Sequence, residues 1–505
     1  MAEHSHILNM RFLLLCMVLA VTTTAITLLC YVFLLSSIVP TTVRSFLEVR
    51  KTTDYPVLVG SSVESHFLTL KMYNCSRLQH RQVHILWSNF YWQEVQDSKI
   101  YLYSAYYDTR FVYDGVPYHY VRVIGMSMGK IYGKIYYCSL WYKQQNDPVV
   151  LKADTSEIWV QQWNSRPAPD MYHTYLFTCP IPEGVRKGGA YPDYVSISAQ
   201  PCNNVTTMVP IHREGILKSQ LKKKGKYAVC VKGMDFRKDI SHRLIEWLEL
   251  LFILGAEKVF FYKYSVHPNI DKVLDYYTKQ GKVVVLHLTL PGDQPNEPQL
   301  RSLYLKRDVW QKRRNEIVPY NDCLYRNMYL YDYIIPLDVD EVILPVKTYT
   351  WSEMFRKYKQ DHPKDLERYA SLSAQNAYFL DVYNATRDPD VPRKFHMLHY
   401  KTRSANFSIR GHSVKSFIST NKSLTIFNHY TLEGLYARVK GNLVLNTSVV
   451  QMNHYKERCP RELYSKCKSN FLVYTIRDNI IEKYKKPLVD HVLMTLKKLN
   501  LLPID

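Results

Sequence analysis

From Lys226 onward, short apolar runs alternate with stretches whose apolar residues recur at helical spacing, and this alternation constrains the fold more than any other feature. Residues 227–232, 259–264 and 283–288 read as strands. Between the first two, residues 241–254 place Leu244, Ile245, Leu248, Leu251 and Phe252 on one helix face and stop at Gly255. A second helix, capped by Asn269, runs through Tyr277 and stops at Gly281. Strands alternating with helices imply right-handed crossovers and a mainly parallel sheet, which binds ligands beyond the carboxyl ends of its strands. A later helix over roughly 321–331 leads into Tyr333-Ile-Ile-Pro-Leu-Asp-Val-Asp-Glu-Val-Ile-Leu-Pro345, where an apolar run ends in Asp338, Asp340 and Glu341. Read as a strand, the run turns Asp338 and Asp340 to one face and Val339 to the other. Two hard oxygen donors placed that way suit a divalent cation, and the cation suits a phosphate-bearing substrate. For a bare Asp-x-Asp, a solvated turn after a core strand is the competing reading.

The N-terminal half has a different character. Residues 12–39 carry no charge and are long enough to span a bilayer as a signal anchor behind a short tail, 1–11. A cleaved signal peptide is the alternative, but its apolar region is usually only about 7 to 15 residues. Flanking charge does not favour a cytoplasmic N-terminus, since Arg11 precedes the span whereas Arg44, Arg50 and Lys51 follow it. N-glycosylation sequons at Asn74, Asn204, Asn384, Asn406, Asn421 and Asn446 favour a lumenal body. Outside the span the cysteines form an even set, Cys75, Cys138, Cys179, Cys202, Cys230, Cys323, Cys459 and Cys467, for which disulfides are plausible in that compartment. Residues 40–60 read as a stem. Residues 61–218, rich in Tyr, Trp and Val in short runs, read as a mostly β domain, and 219–505 as the α/β domain. The tryptophans Trp87, Trp92, Trp141, Trp159 and Trp163 have two readings, sugar-stacking platforms or, for most of them, core. A net charge of +21 invites a nucleic-acid partner, yet the basic residues are scattered and no nucleic-acid module accompanies them. That charge can instead attract an anionic nucleotide sugar.

Two chemistries use an apolar strand followed by Asp-x-Asp. In a haloacid-dehalogenase-like phosphatase the first Asp is a nucleophile on the first strand of its domain, whereas about three strands precede Asp338 here. A metal-dependent glycosyltransferase of the GT-A type instead places Asp-x-Asp after a nucleotide-binding βαβ region, as in this order. The blocks Ser104-Ala-Tyr-Tyr-Asp-Thr-Arg110, Val121-Arg-Val-Ile-Gly125, Cys230-Val-Lys232, Glu246-Trp-Leu-Glu249, Tyr262-Lys-Tyr-Ser265, Asn321-Asp-Cys-Leu-Tyr-Arg326 and Asp338-Val-Asp-Glu341 together resemble glycosyltransferase family 92. A closing His-Tyr-Arg-like element is matched by Asn453-His-Tyr-Lys-Glu-Arg458, with Lys456 in place of Arg. Lys and Arg bind phosphate differently, so a bidentate contact is not carried over.

The resemblance implies a GT-A fold, an inverting mechanism and transfer of galactose from UDP-galactose, in animals onto the core fucose of N-glycans. It also implies a type II Golgi membrane protein. Asp338 and Asp340, with His454 as a nitrogen ligand, are the expected holders of Mn²⁺ or another divalent cation. Inversion needs a base on the acceptor hydroxyl. Glu341 is either that base or structural, and Asp381 and Glu433 are further candidates. Lys232, Tyr262, Tyr264, Asn321, Asp322, Arg326 and His429 are candidate donor contacts. Against that, Asp322 and Arg326 can form a helix-surface ion pair, and the aromatic residues can be core. A catalytically silent, membrane-anchored carbohydrate-binding protein is the alternative of another class.

Overall fold

Strand alternation with both faces buried explains the first half of the molecule. A hairpin, β1 (Trp87–Ser88) and β2 (Trp92–Val95), leads into β3 (Ile100–Asp108), β4 (Tyr120–Met128), β5 (Tyr136–Trp141), β6 (Val149–Glu157), β7 (Tyr172–Pro180), β8 (Tyr194–Ser198) and β9 (Val209–His212). Strands β3 to β9 pair in the order β3-β4-β7-β6-β5-β8-β9, and β9 returns to pair with β3 in parallel, closing a barrel without open edges. Along β4, Val121 and Val123 point into the barrel core with Phe177, Val195 and Ile211. Ile124 and Met126 point outward, where they join the core of the second half rather than meeting water. The computed structural model describes residues 71–75, 83–143, 145–161, 163, 169–186, 190–221, 224–383, 388–459 and 463–502. The expected tail, span and stem and the sequon at Asn384 lie outside these residues. Among the described residues, no helix is long and apolar enough to cross a membrane.

From Gly225 the period changes. Strands β10 (Gly225–Phe236), β11 (Lys258–Val266) and β12 (Val283–His287) run parallel, connected by α1 (Ser241–Leu254) and α2 (Pro268–Lys279). Helix α1 stops where Gly255 takes φ 110 and donates to the Leu251 and Phe252 carbonyls. Helix α2 is capped by the His267 ring, which accepts from the Asn269 N–H, and not by Asn269, because Pro268 already occupies the first helical position. Then come α3 (Pro298–Arg307) and α4 (Val309–Asn327). Helix α4 starts well before the expected residue 321, because Pro319, which reads as a breaker, is accommodated inside it. Strand β13 (Tyr331–Pro336) joins β10 in parallel.

The chain then turns. Strand β14 (Glu341–Pro345) leaves for the far edge of the sheet, and α5 (Trp351–Asp361), β15 (Tyr369–Leu380), β16 (Lys415–Ser419), β17 (Ser423–Ile426), β18 (Thr431–Gly434), β19 (Lys440–Val444), β20 (Val450–Lys456) and α6 (Lys485–Lys498) follow. The sheet order is β12-β11-β10-β13-β16-β15-β20-β14, with β19 beside β15. The expected parallel arrangement holds from β12 to β13, and again where β15 pairs with β20 and β19. The pairs β13–β16, β16–β15 and β20–β14 are antiparallel, so the sheet is mixed. Between β15 and β16 the described residues supply no crossover helix, and such a connection returns a strand antiparallel.

Barrel and sheet fall in one compact unit. All eight cysteines outside the span are paired, as Cys75–Cys202, Cys138–Cys179, Cys230–Cys323 and Cys459–Cys467. Cys138–Cys179 ties β5 to β7, and Cys230–Cys323 ties β10 to α4. The sequon asparagines Asn74, Asn204, Asn406, Asn421 and Asn446 are all exposed. Trp92, Trp141 and Trp159 are core residues, whereas Trp87 is exposed and Trp163 half-buried.

The β1–β2 loop is strained at its tip. Asn89 (φ 52) and Phe90 (φ 70) both occupy the left-handed region, while Asn89 Nδ2 donates to the Leu290 and Gly292 carbonyls at 2.9 and 2.8 Å. Phe90 is 86 % exposed, so its ring gains little from burial, and its β-carbon in this conformation costs about 1 kcal/mol. Phe90→Gly is therefore expected to raise stability by about 1 kcal/mol in denaturant unfolding. A lower midpoint would show that the ring has a partner worth more than the strain.

Candidate active site

The turn after β13 makes the cleft. The Glu341 N–H donates to the Asp338 carbonyl at 3.0 Å, and the Asp338 N–H donates to Glu341 Oε2 at 2.9 Å, so the two residues close the turn on each other. Asp338 and Asp340 accordingly leave a turn rather than alternating along a strand. An apolar run across both strands hides the break, because the residues on each side of it are core. Trp247 Nε1 donates to the Glu341 carbonyl at 2.7 Å and pins the start of β14 to α1.

Strand pairing brings the third group in. Antiparallel β14 and β20 set Glu341 opposite His454, and parallel β15 lays Tyr378 against the His454 ring, 5.6 Å between centroids. Asp340, Glu341 and His454 each offer a ligand atom, all within 4.8 Å of one another. His454 Nε2 lies 3.7 Å from both Asp340 Oδ2 and Glu341 Oε1, too far for a hydrogen bond. Among the described residues neither ring nitrogen of His454 has a hydrogen-bond partner, although both atoms are buried.

Asp338 belongs to the adjoining cluster. Its oxygens lie 3.2 Å from Lys232 Nζ and 3.6 Å from Lys415 Nζ. Lys232 also reaches Glu316 at 3.1 Å, Lys415 reaches Glu341 at 3.0 Å, and Lys456 reaches Asp340 at 2.8 Å. Burial alone would raise the Asp338 pKa, but Lys232 and then Lys415 outweigh it and hold the carboxyl below its usual range. Asp340 behaves likewise, burial being overcome by Lys456 and then His454. Burial opposes the charge on Lys415, yet Asp338 and Glu341 raise its pKa. All three lysines of the cleft are thus cations, held in place by the acids.

The remaining candidates separate. Burial and the neighbouring Lys415 push the His429 ring down to about 3, so it is neutral beside the cleft. Tyr264 is half-buried on β11, close enough to β10 that a β-carbon at Gly233 would overlap its ring. Asp381 is exposed immediately after β15, where Leu380 lies opposite Lys456 of β20. Glu433 accepts from Thr425 at 3.3 Å, and burial raises its pKa against that bond and the barrel's Arg122. Of the expected donor contacts, Asn321, Asp322 and Tyr262 are fully buried, and they and the half-buried Arg326 are engaged elsewhere. Asn321 brackets β17, donating to the Ile426 carbonyl and accepting its N–H. Asp322 accepts from the Tyr106 and Tyr262 hydroxyls, both at 2.5 Å. Arg326 pairs with Asp322 at 3.1 Å, so the ion pair weighed for these residues does form, in the interior rather than on a helix surface.

Sequence reading missed Lys415 and Glu316. Lys415 stands alone in the apolar stretch Val414-Lys-Ser-Phe-Ile418, the pattern of a buried cation in need of acids. Glu316 lies on the part of α4 that precedes Pro319, where the proline hides the helix from sequence reading.

Two comparisons bear on this geometry. The sequence profile of Glycosyltransferase family 92 matches residues 225–492, more than half of the chain. Beta-1,4-galactosyltransferase galt-1 of Caenorhabditis elegans is 24 % identical over 260 residues, covering 50 % of this chain and 52 % of that protein. The chain thus spans about half the length of the curated relative it matches. The matched segment begins at β10 and contains Asp338, Asp340, Glu341, Lys415, His454 and Lys456 together, and on that match the chain belongs to glycosyltransferase family 92.

Proposed function

We propose that this glycosyltransferase is a metal-dependent, inverting enzyme of the GT-A type that transfers a hexose, with galactose from UDP-galactose as the leading donor, to a glycan such as the core fucose of N-glycans. We place it in the Golgi membrane as a single-pass type II protein with a lumenal catalytic domain. The observation that carries the reading is the convergence of Asp340, Glu341 and His454 beside three lysines at the carboxyl edge of the parallel strands. The donor set fits a divalent cation, because His454 has two buried ring nitrogens without hydrogen-bond partners among the described residues. One nitrogen with two carboxylates suits manganese better than magnesium. Asp340, Glu341 and His454 would hold the cation, with Asp338 alongside, and bound there it would neutralise charge on the departing diphosphate.

The chain's own groups do the rest. Lys232 and Lys456 bring fixed positive charge to the leaving-group side, preorganised by Glu316, Asp338 and Asp340. Tyr264, at the end of β11, is the remaining aromatic candidate for the uracil. Asp381, exposed past the end of β15 on the strand beside His454, is the favoured base for the acceptor hydroxyl, since Glu341 is committed to the turn and to Lys415. The test is a panel of UDP-sugars against defined N-glycan acceptors with and without Mn²⁺, with product linkage read by NMR. UDP-galactose is expected to give one inverted linkage, and chelation to remove the activity. Equal turnover after chelation would sink the metal assignment, and transfer from another UDP-sugar alone would sink the donor.

A further inference from the structure

The barrel reaches the cleft through Trp163, which lies between β6 and β7. Its ring meets Phe427 at 5.1 Å and His429 at 5.6 Å between centroids, edge to face in both cases. His429 is itself fixed to both neighbours of Lys415: its Nδ1 lies 2.6 Å from the Val414 carbonyl, and its own carbonyl accepts from Ser416 Oγ. Helix α4 approaches from the other side. Arg313 precedes Glu316, the partner of Lys232, by one helical turn on the same face. Its guanidinium lies over the rings of Trp163 and Trp310, 5.2 and 5.0 Å from their centroids. Trp310 also lines a cavity of about 450 Å³ with Tyr304, Arg307, Asp308 and Val309. Both indoles are half-buried, whereas Trp92, Trp141 and Trp159 are core.

A sugar ring presents an apolar C–H face and a rim of hydroxyls. Indole faces suit the first, and guanidinium and carboxylate groups suit the second. We propose that Trp163, Arg313 and Trp310 form a saccharide subsite at the mouth of the acid cleft, built jointly by the barrel and α4, that takes a sugar of the acceptor glycan. The stacked cation fixes the two rings relative to each other. The barrel then acts in substrate selection although it lies outside the segment that defines the family. This subsite rests on the glycosyltransferase function proposed above.

Two measurements separate the subsite from that function. In steady-state transfer, Trp163→Ala and Trp310→Ala are expected to raise the acceptor KM about tenfold while the donor KM stays within about twofold, and Trp163→Phe to restore most of the loss. In a fluorescence titration without nucleotide sugar, a core-fucosylated N-glycopeptide is expected to bind the wild type saturably and Trp163→Ala about tenfold more weakly. A wild type that binds the glycopeptide through these residues but transfers nothing would remove the proposed donor chemistry and leave the subsite standing. Wild-type acceptor KM and glycopeptide affinity in the variants would overturn the subsite. So would a rise confined to the donor KM, which assigns the wall to the nucleotide. If Trp163→Ala does not fold, Trp310→Ala carries the same comparison.

Discussion

Asp340→Ala is expected to lower kcat/KM for sugar transfer by about 10³-fold while leaving the protein folded. The asymmetry comes from where the carboxylate sits. It contributes a ligand atom to the cluster with Glu341 and His454, yet its side chain is 32 % exposed and its partner Lys456 33 % exposed. An ion pair that open to water contributes at most about 1 kcal/mol. His454→Ala should lose transfer to a similar degree and weaken Mn²⁺ binding in an electron paramagnetic resonance titration. Asp338→Ala should behave differently, because it leaves the buried Lys415 with Glu341 alone and Lys232 with Glu316 alone. Its unfolding midpoint should fall by an amount corresponding to about 2 kcal/mol, alongside any loss of activity. Turnover in Asp340→Ala within about threefold of wild type would remove this residue from the proposed metal and leaving-group chemistry.

Legibility in the sequence followed the range of the interactions. Helix α1 with its Gly255 stop and the first three strands rest on local periodicity and one glycine, so they could be placed within a few residues. The break at Leu337 could not. Both strands around it are apolar, and what ends β13 is the mutual pairing of Asp338 and Glu341 and the departure of β14 to a partner more than a hundred residues away. The partners of Lys415 were hidden for the same reason: its lone charge in an apolar run signals burial, but its acids arrive from another strand end. The family blocks were legible as a series, but most of them frame the cleft instead of lining it. Glu246 accepts the backbone N–H groups of His396, Met397 and Leu398, Trp247 holds the Glu341 carbonyl, and Arg110 holds the Thr420 and Ser423 carbonyls. A motif read without coordinates cannot distinguish a residue that touches substrate from one that holds the backbone behind it.

The same distinction gives the largest expected effect on stability, at Asp322. Its carboxylate is fully buried and joins three elements: the Tyr106 hydroxyl from the barrel, the Tyr262 hydroxyl from β11, and Arg326 from its own helix. Burial opposes the charge, but Arg326 and then the two hydroxyls hold the carboxyl below its usual range. A lowered folded-state pKa means that this stabilisation is present above the unfolded value and is lost as the pH falls through the folded one. Asp322→Ala leaves a mostly buried guanidinium and two buried hydroxyls without their acceptor, which costs about 3 to 5 kcal/mol. Against a total stability of about 5 to 15 kcal/mol, that loss is enough to prevent accumulation of folded protein or to bring the denaturant midpoint close to zero. Tyr106→Phe and Tyr262→Phe each remove one bond and should cost about 1 to 2 kcal/mol, with a donor KM unchanged for Tyr262→Phe because its ring lies in the core. Wild-type protein should also lose stability on acidification through the lowered pKa more steeply than Asp322→Asn, whose side chain does not titrate there. A normal unfolding midpoint for Asp322→Ala, combined with a raised donor KM in Tyr262→Phe, would return both residues to the nucleotide site and remove the link between barrel and sheet.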